Sequence, residues 1–340
     1  MNNVLKDLKQ VFIVAELSAN HNNDFGLTVK TIEAMAKAGA NAVKIQTYKP
    51  NSLTIDSNSG YFSPRTEGLW KGYTPWKLYK EASMPYEWQP KLKKIAEELG
   101  LIFFSSPFDK DGVDFLEAMD VPIYKIASME ITDIPLIEHV ASKGKPMLVS
   151  TGVAEIEDIQ LALDACKKRG NSQVTLLKCT SNYPATITDA NLLTIPDMKK
   201  RFGVDVGVSD HTMGSLVPTV AVALGACIVE KHFILDRQLG GPDSAFSMEP
   251  LEFEEMVGAV RQAEAALGQI SYNVSEKDKK RRRSLFVVKD IKAGESLTEE
   301  NVKSIRPGYG LHPGKLRDIL GKVVIEDIKM GEPLLMTHIK

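Results

Sequence analysis

The most informative part of the sequence for the fold is residues 204–233, VDVGVSDHTMGSLVPTVAVALGACIVEKHF. It holds two apolar, β-branched runs, and each run ends in a polar cluster with a histidine, His211 or His232. The small-residue segment between the runs can form one helix, so the stretch predicts a strand–helix–strand unit. Residues at the carboxyl ends of parallel strands face the ligand side of an α/β sheet. Two imidazoles there are a candidate divalent-metal site, and strand-capping histidines are the structural alternative.

The same pattern recurs along the chain and predicts the fold class. Eight short apolar runs occur at residues 11–18, 42–48, 102–107, 124–129, 147–152, 174–181, 204–212 and 226–233. Segments with helical periodicity alternate with them, at residues 27–38, 86–99, 110–119, 134–142, 156–169, 190–201, 215–224 and 251–267. This alternation predicts an α/β protein with a closed (β/α)8 TIM barrel over residues 1–270. A doubly wound open sheet is disfavoured, because no glycine-rich dinucleotide turn follows the first strand.

An aromatic insertion, residues 51–83, separates the second predicted strand from its helix. It contains the large aromatic residues Tyr61, Phe62, Trp70, Tyr73, Trp76 and Tyr79. This composition is too aromatic for a disordered linker. We therefore expect either a packed lid over the barrel mouth or an oligomer contact.

The composition changes after residue 268. Residues 275–283, SEKDKKRRR, carry charges without an apolar stripe, and we interpret residues 271–283 as a solvated linker rather than a nucleic-acid site. The sequence VVKDIKAGE at 287–295 recurs as VIEDIKMGE at 324–332. This internal repeat predicts a small, pseudo-symmetric β domain over residues 284–340.

Overall composition excludes several classes of protein. A formal net charge of -2 provides no long-range attraction to nucleic acid or to a membrane surface. Cys166, Cys179 and Cys227 form no CxxC pair, which favours reduced thiols. Residues 1–10 lack the apolar core of a signal peptide, and no apolar run approaches the roughly 18 residues of a membrane span. A cytoplasmic protein that binds neither nucleic acid nor membrane is the expectation.

Polar residues close each predicted strand and, in a barrel, would surround one mouth. Lys44, Lys125 and Lys231 lie within apolar runs, where a lysine is costly to bury unless a carboxylate or a ligand pairs with it. Lysine and serine donors suit a phosphate or carboxylate. Because no serine lies in a GxSxG turn, serine hydrolysis is unsupported. A metal, anion donors and a strand-end glutamate, Glu16, together predict carbonyl activation with a phosphorylated or carboxylated partner.

Eight motifs carry a family resemblance in the same order. They are ELSANH (16–21), KIQTY (44–48), SSPFD (105–109), KIAS (125–128), STG (150–152), KCTSNYP (178–184), GVSDHT (207–212) and EKHF (230–233). This set resembles the sialic acid synthase family over almost the whole chain. Residues 304–313, SIRPGYGLHP, resemble the β-clip antifreeze-like (SAF) domain of that family. Residues 16–21, 69–88 and 243–253 are similar to its pseudaminic acid synthase branch.

The resemblance implies an enzyme that condenses phosphoenolpyruvate with an open-chain amino sugar, giving a nine-carbon 2-keto acid and phosphate by C–O cleavage. For the pseudaminate branch the sugar is 2,4-diacetamido-2,4,6-trideoxy-L-altrose. It implies that manganese or magnesium binds His211 and His232, polarises the sugar aldehyde and orients it, and that Glu16 lies near the reacting carbons. The residues implied for phosphoenolpyruvate are Lys44, Ser106, Lys125, Ser128, Ser150, Ser181 and Ser209. Those implied for the sugar are Gln46, Glu130, Tyr183, Asp243 and Arg306, the last reaching the partner's site in a domain-swapped homodimer.

Other functions remain open at this stage. An N-acetylneuraminate or legionaminate synthase would use the same chemistry on another sugar, and Ser181 stands where N-acetylneuraminate synthases usually have asparagine. Either Ser181 or Asn182 could then contact phosphoenolpyruvate. A metal-dependent hydrolase would need further ligands, and the HxH pair expected after the first strand is missing. A non-catalytic carbohydrate-binding protein is disfavoured by the costly lysines. Cys179, with no paired base in the pattern, is predicted to be a core residue.

Overall fold

The computed structural model of the chain describes residues 4–6 and 8–340. The predicted polar N-terminal segment, residues 1–10, therefore lies partly outside the described residues. The chain divides into two compact units, Met1–Gly268 and Gln269–Lys340. The finer division expected from the sequence, with a separate linker at 271–283, stays a prediction.

The first unit contains a closed barrel of eight parallel strands. Its strands are β1 (Phe12–Glu16), β2 (Ala42–Thr47), β3 (Ile102–Pro107), β4 (Tyr124–Ile126), β5 (Met147–Ser150), β6 (Val174–Cys179), β7 (Asp205–Asp210) and β8 (Ile228–His232). Each strand lies inside one of the apolar runs. β8 closes the barrel on β1, with Glu16 in register with His232. The predicted (β/α)8 barrel is confirmed.

Helices follow the strands around the barrel. The longer ones are α1 (Phe25–Lys37), α3 (Pro75–Ala82), α4 (Gln89–Glu98), α5 (Lys110–Ala118), α6 (Ile134–Ala141), α7 (Ile156–Lys168), α8 (Thr194–Phe202), α9 (Leu216–Ala223) and α10 (Pro250–Leu267), and a single turn, α2, spans Pro50–Leu53. Two of them begin three or more residues later than the periodicity predicts. α4 begins three residues late and α8 four residues late because Pro90 and Pro196 are tolerated only in a first helical turn.

The aromatic insertion packs partly against the barrel. Between α2 and α3 it forms an irregular excursion with a 3-10 turn at Gly60–Phe62. The Trp70 indole Nε1 donates a hydrogen bond to the carbonyl oxygen of Pro242 at 2.9 Å. The Tyr79 ring lies edge-on to Tyr48, with ring centroids 6.2 Å apart. Tyr61, in contrast, is fully exposed.

The hydrophobic core of this unit has two layers. One fills the barrel interior and is formed by Phe12, Val14, Ala42, Phe104, Ile123, Leu148, Leu177 and Ile228. The larger layer lies between the strands and the helices and includes Ile13, Ile32, Leu92 and Phe253. Because side chains alternate along a strand, each strand supplies both layers, and this explains why the apolar runs are nearly continuous.

The second unit is a small β structure with its own core. Strands β9 (Ser284–Val287) and β10 (Val302–Ile305) pair antiparallel, and short helices α11 (Glu276–Lys279) and α12 (Leu316–Ile319) flank this pair in sequence. The two copies of the repeat pair with each other through Ile291 and Ile328. Reciprocal ion pairs join Lys292 to Asp327 at 2.6 Å and Lys329 to Asp290 at 2.8 Å. The expected pseudo-symmetry thus appears in the contacts.

Candidate active site

The polar residues of the site continue the inward-facing rows of the barrel. Phe12 and Val14 belong to the interior core, so Glu16 points the same way two residues later. Lys44 and Glu230 likewise lie two residues after the interior residues Ala42 and Ile228 and face the same way. The barrel interior is therefore apolar toward the amino ends of the strands and charged at their carboxyl ends, where ligands bind in this fold.

Four buried charged side chains form one cluster at this end. The Lys44 ammonium lies 2.7 Å from Glu16 Oε2 and 3.6 Å from Glu230 Oε1. The same Glu230 oxygen lies 3.3 Å from Lys125 Nζ and accepts a hydrogen bond from the Ser209 hydroxyl at 3.0 Å. Two lysines and two glutamates balance in charge, as buried ions require. The cluster brings together Lys44, Lys125 and Ser209, three residues expected to hold phosphoenolpyruvate.

The two glutamates of this cluster differ in protonation. Burial raises the pKa of Glu16 to about 7, although Lys44 acts in the opposite direction. Burial also tends to raise the pKa of Glu230, but Lys125 and Lys44 outweigh it and hold this pKa at about 2. Glu230 is therefore ionised at neutral pH, whereas Glu16 can exchange a proton there.

Lys231 has a structural role. It faces away from the cluster, because it is one residue out of phase with Glu230 and His232. Its ammonium lies 2.8 Å from Asp210 Oδ2 and also donates to the carbonyl oxygen of Thr212. Asp210 in turn accepts from the Thr212 backbone N–H and hydroxyl. For this lysine, neighbouring groups supply the anionic partner.

A second group of hydroxyls surrounds the turn after β5. The Ser128 hydroxyl accepts a hydrogen bond from the Gly152 backbone N–H at 3.1 Å. A Cβ on Gly152 would lie 2.1 Å from Ser181 Oγ and 2.9 Å from Ser128 Oγ, so only glycine leaves these hydroxyls in place. Ser150 Oγ, just before this turn, is buried without a hydrogen-bond partner among the described residues. Ser106 Oγ lies 3.5 Å from Lys44 Nζ and belongs to the other side of the same mouth.

The histidine pair fits a metal ion. The rings of His211 and His232 lie 5.1 Å apart between centroids. His211 Nδ1 lies 2.9 Å from the Thr180 carbonyl oxygen, which makes it a donor and leaves Nε2 as a metal ligand. Burial lowers the pKa of His232 well below its usual range, and its Nδ1 has no hydrogen-bond partner among the described residues. Neutral imidazole with a free lone pair is the ligating form.

The protein offers the metal few other ligands. Within residues 4–6 and 8–340, no three His, Cys, Asp or Glu side chains converge as a metal-binding group. Asp243 Oδ2 is 4.0 Å from His232 Nδ1. A cation held by two histidines therefore needs further ligands from substrate or water, as an open catalytic site does.

A cavity of about 450 Å³ opens beside these residues. Its lining includes Gln46, Glu130, Tyr183 and Asp243, the four barrel residues implied for the sugar, together with Ser128, Ser181 and His232. Ser181 lines the cavity, whereas Asn182 is exposed on the surface. The volume and the convergent polar groups suit a small polar ligand.

Aromatic rings form one wall of the cavity. Tyr183 lies 4.4 Å from His211 and 5.0 Å from Phe246 between ring centroids, and Phe246 lies 4.9 Å from His232. Trp70 extends this row, 6.2 Å from Tyr183. The wall therefore connects the aromatic insertion to the histidine pair.

Two further lining residues, Ser18 and Phe246, were not singled out from the sequence, and a third, Trp70, was named only as part of the aromatic insertion. Ser18 donates a hydrogen bond to Asp243 and accepts one from Gln46 Nε2 at 2.8 Å, and its φ of 48° is in the left-handed region. Such strained backbone is concentrated at functional sites. Trp70 and Phe246 also line the cavity. Ser18 and Phe246 lie in motifs that carry the family resemblance, and this was the signal available for them.

Other strand-end residues have structural roles, or lie elsewhere. Asn20 donates to the Phe233 carbonyl and to Ser247, and His21 Nε2 lies 3.1 Å from the Ala82 carbonyl oxygen. Arg306 belongs to the second unit, follows β10 and is exposed. Cys179 is a buried core residue, as predicted, but the prediction that no base accompanies it was wrong. Burial raises the pKa of this thiol, but its interaction with His211 outweighs burial and lowers the pKa to about 7.

Comparisons with known proteins identify the family. The NeuB family model matches residues 31–272, and the SAF domain model matches residues 282–340. The first match covers well over half of the chain. The chain belongs to the NeuB family. Its predicted resemblance to the sialic acid synthases and its predicted C-terminal SAF domain are both confirmed.

Relatives of this NeuB-family chain differ in the sugar acid that they make. It is 47% identical to the pseudaminic acid synthase of Campylobacter jejuni, over 96% of each chain. It is 36% identical to the N,N'-diacetyllegionaminic acid synthase of Legionella pneumophila, over 97% of this chain and 94% of that one. The solved N-acetylneuraminic acid (sialic acid) synthetase of Leptospira borgpetersenii, in complex with citrate, is 32% identical, with a TM-score of 0.72 over 80% of this chain and 90% of that one.

Among the described residues of this NeuB-family chain, none of the helices combines the length and the apolar character of a membrane span.

Proposed function

We propose that this chain is a pseudaminic acid synthase, which condenses phosphoenolpyruvate with 2,4-diacetamido-2,4,6-trideoxy-L-altrose. The observation that carries the proposal is the common location of three features at one barrel mouth: the lysine–glutamate cluster, the histidine pair and the cavity. The preference for this sugar rests on 47% identity to a pseudaminic acid synthase against 36% to a legionaminic acid synthase.

Phosphoenolpyruvate binds through the lysines and the hydroxyls. Lys44 and Lys125 supply two buried ammonium groups, which an anion can share with Glu16 and Glu230. Ser106, Ser128, Ser150, Ser181 and Ser209 supply hydroxyl donors around them. Two observations support this assignment: the Ser150 hydroxyl has no hydrogen-bond partner in the described part of the chain, and Gly152 leaves space beside Ser128 and Ser181.

The sugar lies in the cavity with its aldehyde next to the histidines. Gln46, Glu130, Tyr183 and Asp243 contact its polar groups. His211 and His232 hold manganese or magnesium, which polarises the aldehyde when bound. Ser18 positions both Gln46 and Asp243, because its hydroxyl bonds to each.

The reaction forms one carbon–carbon bond and one carbon–oxygen bond, and it breaks one carbon–oxygen bond. C3 of phosphoenolpyruvate bonds to the aldehyde carbon of the sugar, whose oxygen gains a proton and becomes a hydroxyl. Water adds at C2 and loses a proton. The C2–O bond then breaks, and phosphate leaves with the bridging oxygen. Glu16, with a pKa of about 7 and a place beside Lys44, accepts or donates the proton at this step.

Two further features belong to this proposal. The enzyme is a domain-swapped homodimer in which the exposed Arg306 of the SAF domain completes the site of the partner subunit. The protein works in the cytoplasm, where phosphoenolpyruvate is available and its three cysteines stay reduced.

The test is phosphate release from phosphoenolpyruvate labelled with 18O at the bridging position, with manganese and one sugar at a time. We expect the label in the phosphate, strong preference for the altrose sugar over its 2,4-diacetamido-6-deoxy mannose counterpart and N-acetylmannosamine, and loss of release in Lys125→Met. Lys143→Met, which removes a surface lysine paired with Asp114, is the matched control. Preference for a mannose sugar would assign a legionaminate or neuraminate synthase, and no release with any sugar would exclude the synthase reaction.

A further inference from the structure

Trp70 is held at a defined place on the cavity wall. Its indole N–H donates to the Pro242 carbonyl oxygen at 2.9 Å, and the Arg65 guanidinium lies 4.9 Å from its ring centroid. Backbone hydrogen bonds from Arg65 to Tyr73 and from Gly72 to Arg65 close residues 65–73 into a tight loop. Stacking of a cation on an indole adds to this fixation.

The face that the insertion presents to the cavity is largely apolar. Its lining residues are Leu53, Arg65, Trp70, Leu78, Tyr79 and Ala82, whereas the acidic groups of the lining come from loops that follow barrel strands and its amide group, Gln46, lies on β2. The single N–H of Trp70 is already used by Pro242, so its ring offers a ligand no hydrogen bond. A ligand hydroxyl pressed against this ring would lose its water without a replacement partner.

The row of rings runs from the histidine pair to Trp70. His211 is 4.4 Å from Tyr183, and Tyr183 is 6.2 Å from Trp70. If the aldehyde lies at the histidines, as the proposed function requires, the open chain extends along this row. Its terminal carbon then reaches the insertion rather than the barrel.

We propose that Trp70 is a specificity-determining residue that selects sugars whose terminal carbon is a methyl group over sugars whose terminal carbon is a hydroxymethyl group. This inference rests on the proposed function and names the substrate class of the same cavity, 6-deoxy amino sugars. An apolar wall rejects an added hydroxyl moderately, by about 10- to 100-fold.

The experiment compares 2,4-diacetamido-2,4,6-trideoxy-L-altrose with its 6-hydroxy counterpart in full-length enzyme, by phosphate release. In the wild type we expect kcat/KM to favour the 6-deoxy sugar by tens of fold. Trp70→Ala should reduce this ratio to within about threefold, mainly through a higher KM for the 6-deoxy sugar. Tyr61→Ala, which removes a fully exposed ring of the same insertion, should leave the ratio unchanged.

Two more variants separate the alternatives. Trp70→Gln keeps a long side chain and should also reduce the ratio, so it decides the test if Trp70→Ala fails to fold. Arg65→Met removes the cation that stacks on Trp70 and should reduce the ratio less than either Trp70 variant. A ratio that survives in both Trp70 variants, or that changes only in Arg65→Met, would overturn the inference. Failure of the proposed function would appear differently, as absence of phosphate release from the wild type with both sugars.

Discussion

Glu130 shows how burial sets the charge of a single side chain at this site. It closes the 3-10 turn Ser128–Glu130 after β4 and lines the cavity, and its Oε2 has no hydrogen-bond partner among the described residues. Burial raises its pKa to about 7; Asp133 adds to this effect and Lys125 opposes it. Glu130 is therefore partly protonated at neutral pH and can either donate or accept a hydrogen bond to a sugar hydroxyl.

This raised pKa predicts a pH-dependent stability. Between its ordinary value of 4.5 and about 7, the folded chain keeps a proton on Glu130 that the unfolded chain has released. The free energy of unfolding therefore falls as pH rises through this interval. Gln cannot ionise, so the free energy of unfolding of Glu130→Gln should exceed that of the wild type increasingly as pH rises. The difference should grow from about zero at about pH 4 to about 3 kcal/mol at about pH 8.

Urea unfolding at several pH values measures this difference. Glu138→Gln, which removes a surface carboxylate paired with Lys168 and Arg169, should show no rise between about pH 5 and pH 8. A Glu130→Gln difference that stays flat over the same interval would mean that Glu130 is ionised in the folded protein.

His232 carries the prediction about the metal. We expect His232→Ala to lower kcat/KM by more than about 100-fold even with saturating manganese, because it removes one of two protein ligands. Calorimetric titration with manganese should show weakened binding independently of turnover. His139→Ala, on α6 and paired with Asp114, is the control. Near-wild-type rates with saturating manganese would sink the assignment of His232 as a ligand.

At the scale of elements, the turn after β5 illustrates why a small residue is needed. Gly152 lies where a side chain would displace the hydroxyls of Ser181 and Ser128. We expect Gly152→Ala to raise the KM for phosphoenolpyruvate about tenfold or more, and to cost about 1–3 kcal/mol of stability through overpacking. Steady-state kinetics and denaturant unfolding check both effects.

The chain offers a matched control for this change. Gly258 lies within α10, and a Cβ there would meet nothing within 4 Å. Gly258→Ala should therefore stabilise the protein by about 0.5–1 kcal/mol and leave the kinetics unaltered. If Gly152→Ala left the KM for phosphoenolpyruvate unchanged, the hydroxyls of Ser128 and Ser181 would not belong to its site.

At the scale of the whole molecule, the proposed swapped dimer predicts complementation between subunits. Arg306→Ala should lower kcat/KM by more than tenfold although Arg306 lies outside the barrel. When it is coexpressed with His232→Ala, each mixed dimer contains one site with an intact barrel and an intact partner arginine. Random pairing should then restore about a quarter of the wild-type sites.

Activity of the coexpressed mixture, compared with each variant alone, measures this recovery. Lys303→Ala, an exposed position on β10 of the same unit, serves as the control for damage to the small domain. A mixture no more active than its two components would show that Arg306 does not act across subunits, and wild-type kcat/KM in Arg306→Ala would remove it from the site.

Local patterns in the sequence were enough to predict the barrel and most of the polar side chains at its mouth. Both follow from local regularities. Eight apolar runs alternate with helical segments, which predicts the barrel. Side chains two residues apart on a strand face the same side, so Glu16 at the strand end faces the barrel interior as Val14 does. The repeat in the small domain was also readable, because its two copies are nearly identical in pattern.

Which of these residues contact one another depends on the folding of the whole chain. Glu230 faces Lys44 and Lys125, while its neighbour Lys231 pairs with Asp210 on the opposite side of the strand. Ser18 meets Asp243 across 225 residues of chain, and Trp70 reaches the cavity from an insertion without regular periodicity. Such contacts depend on how distant segments are brought together by closure of the barrel, and no local pattern encodes them.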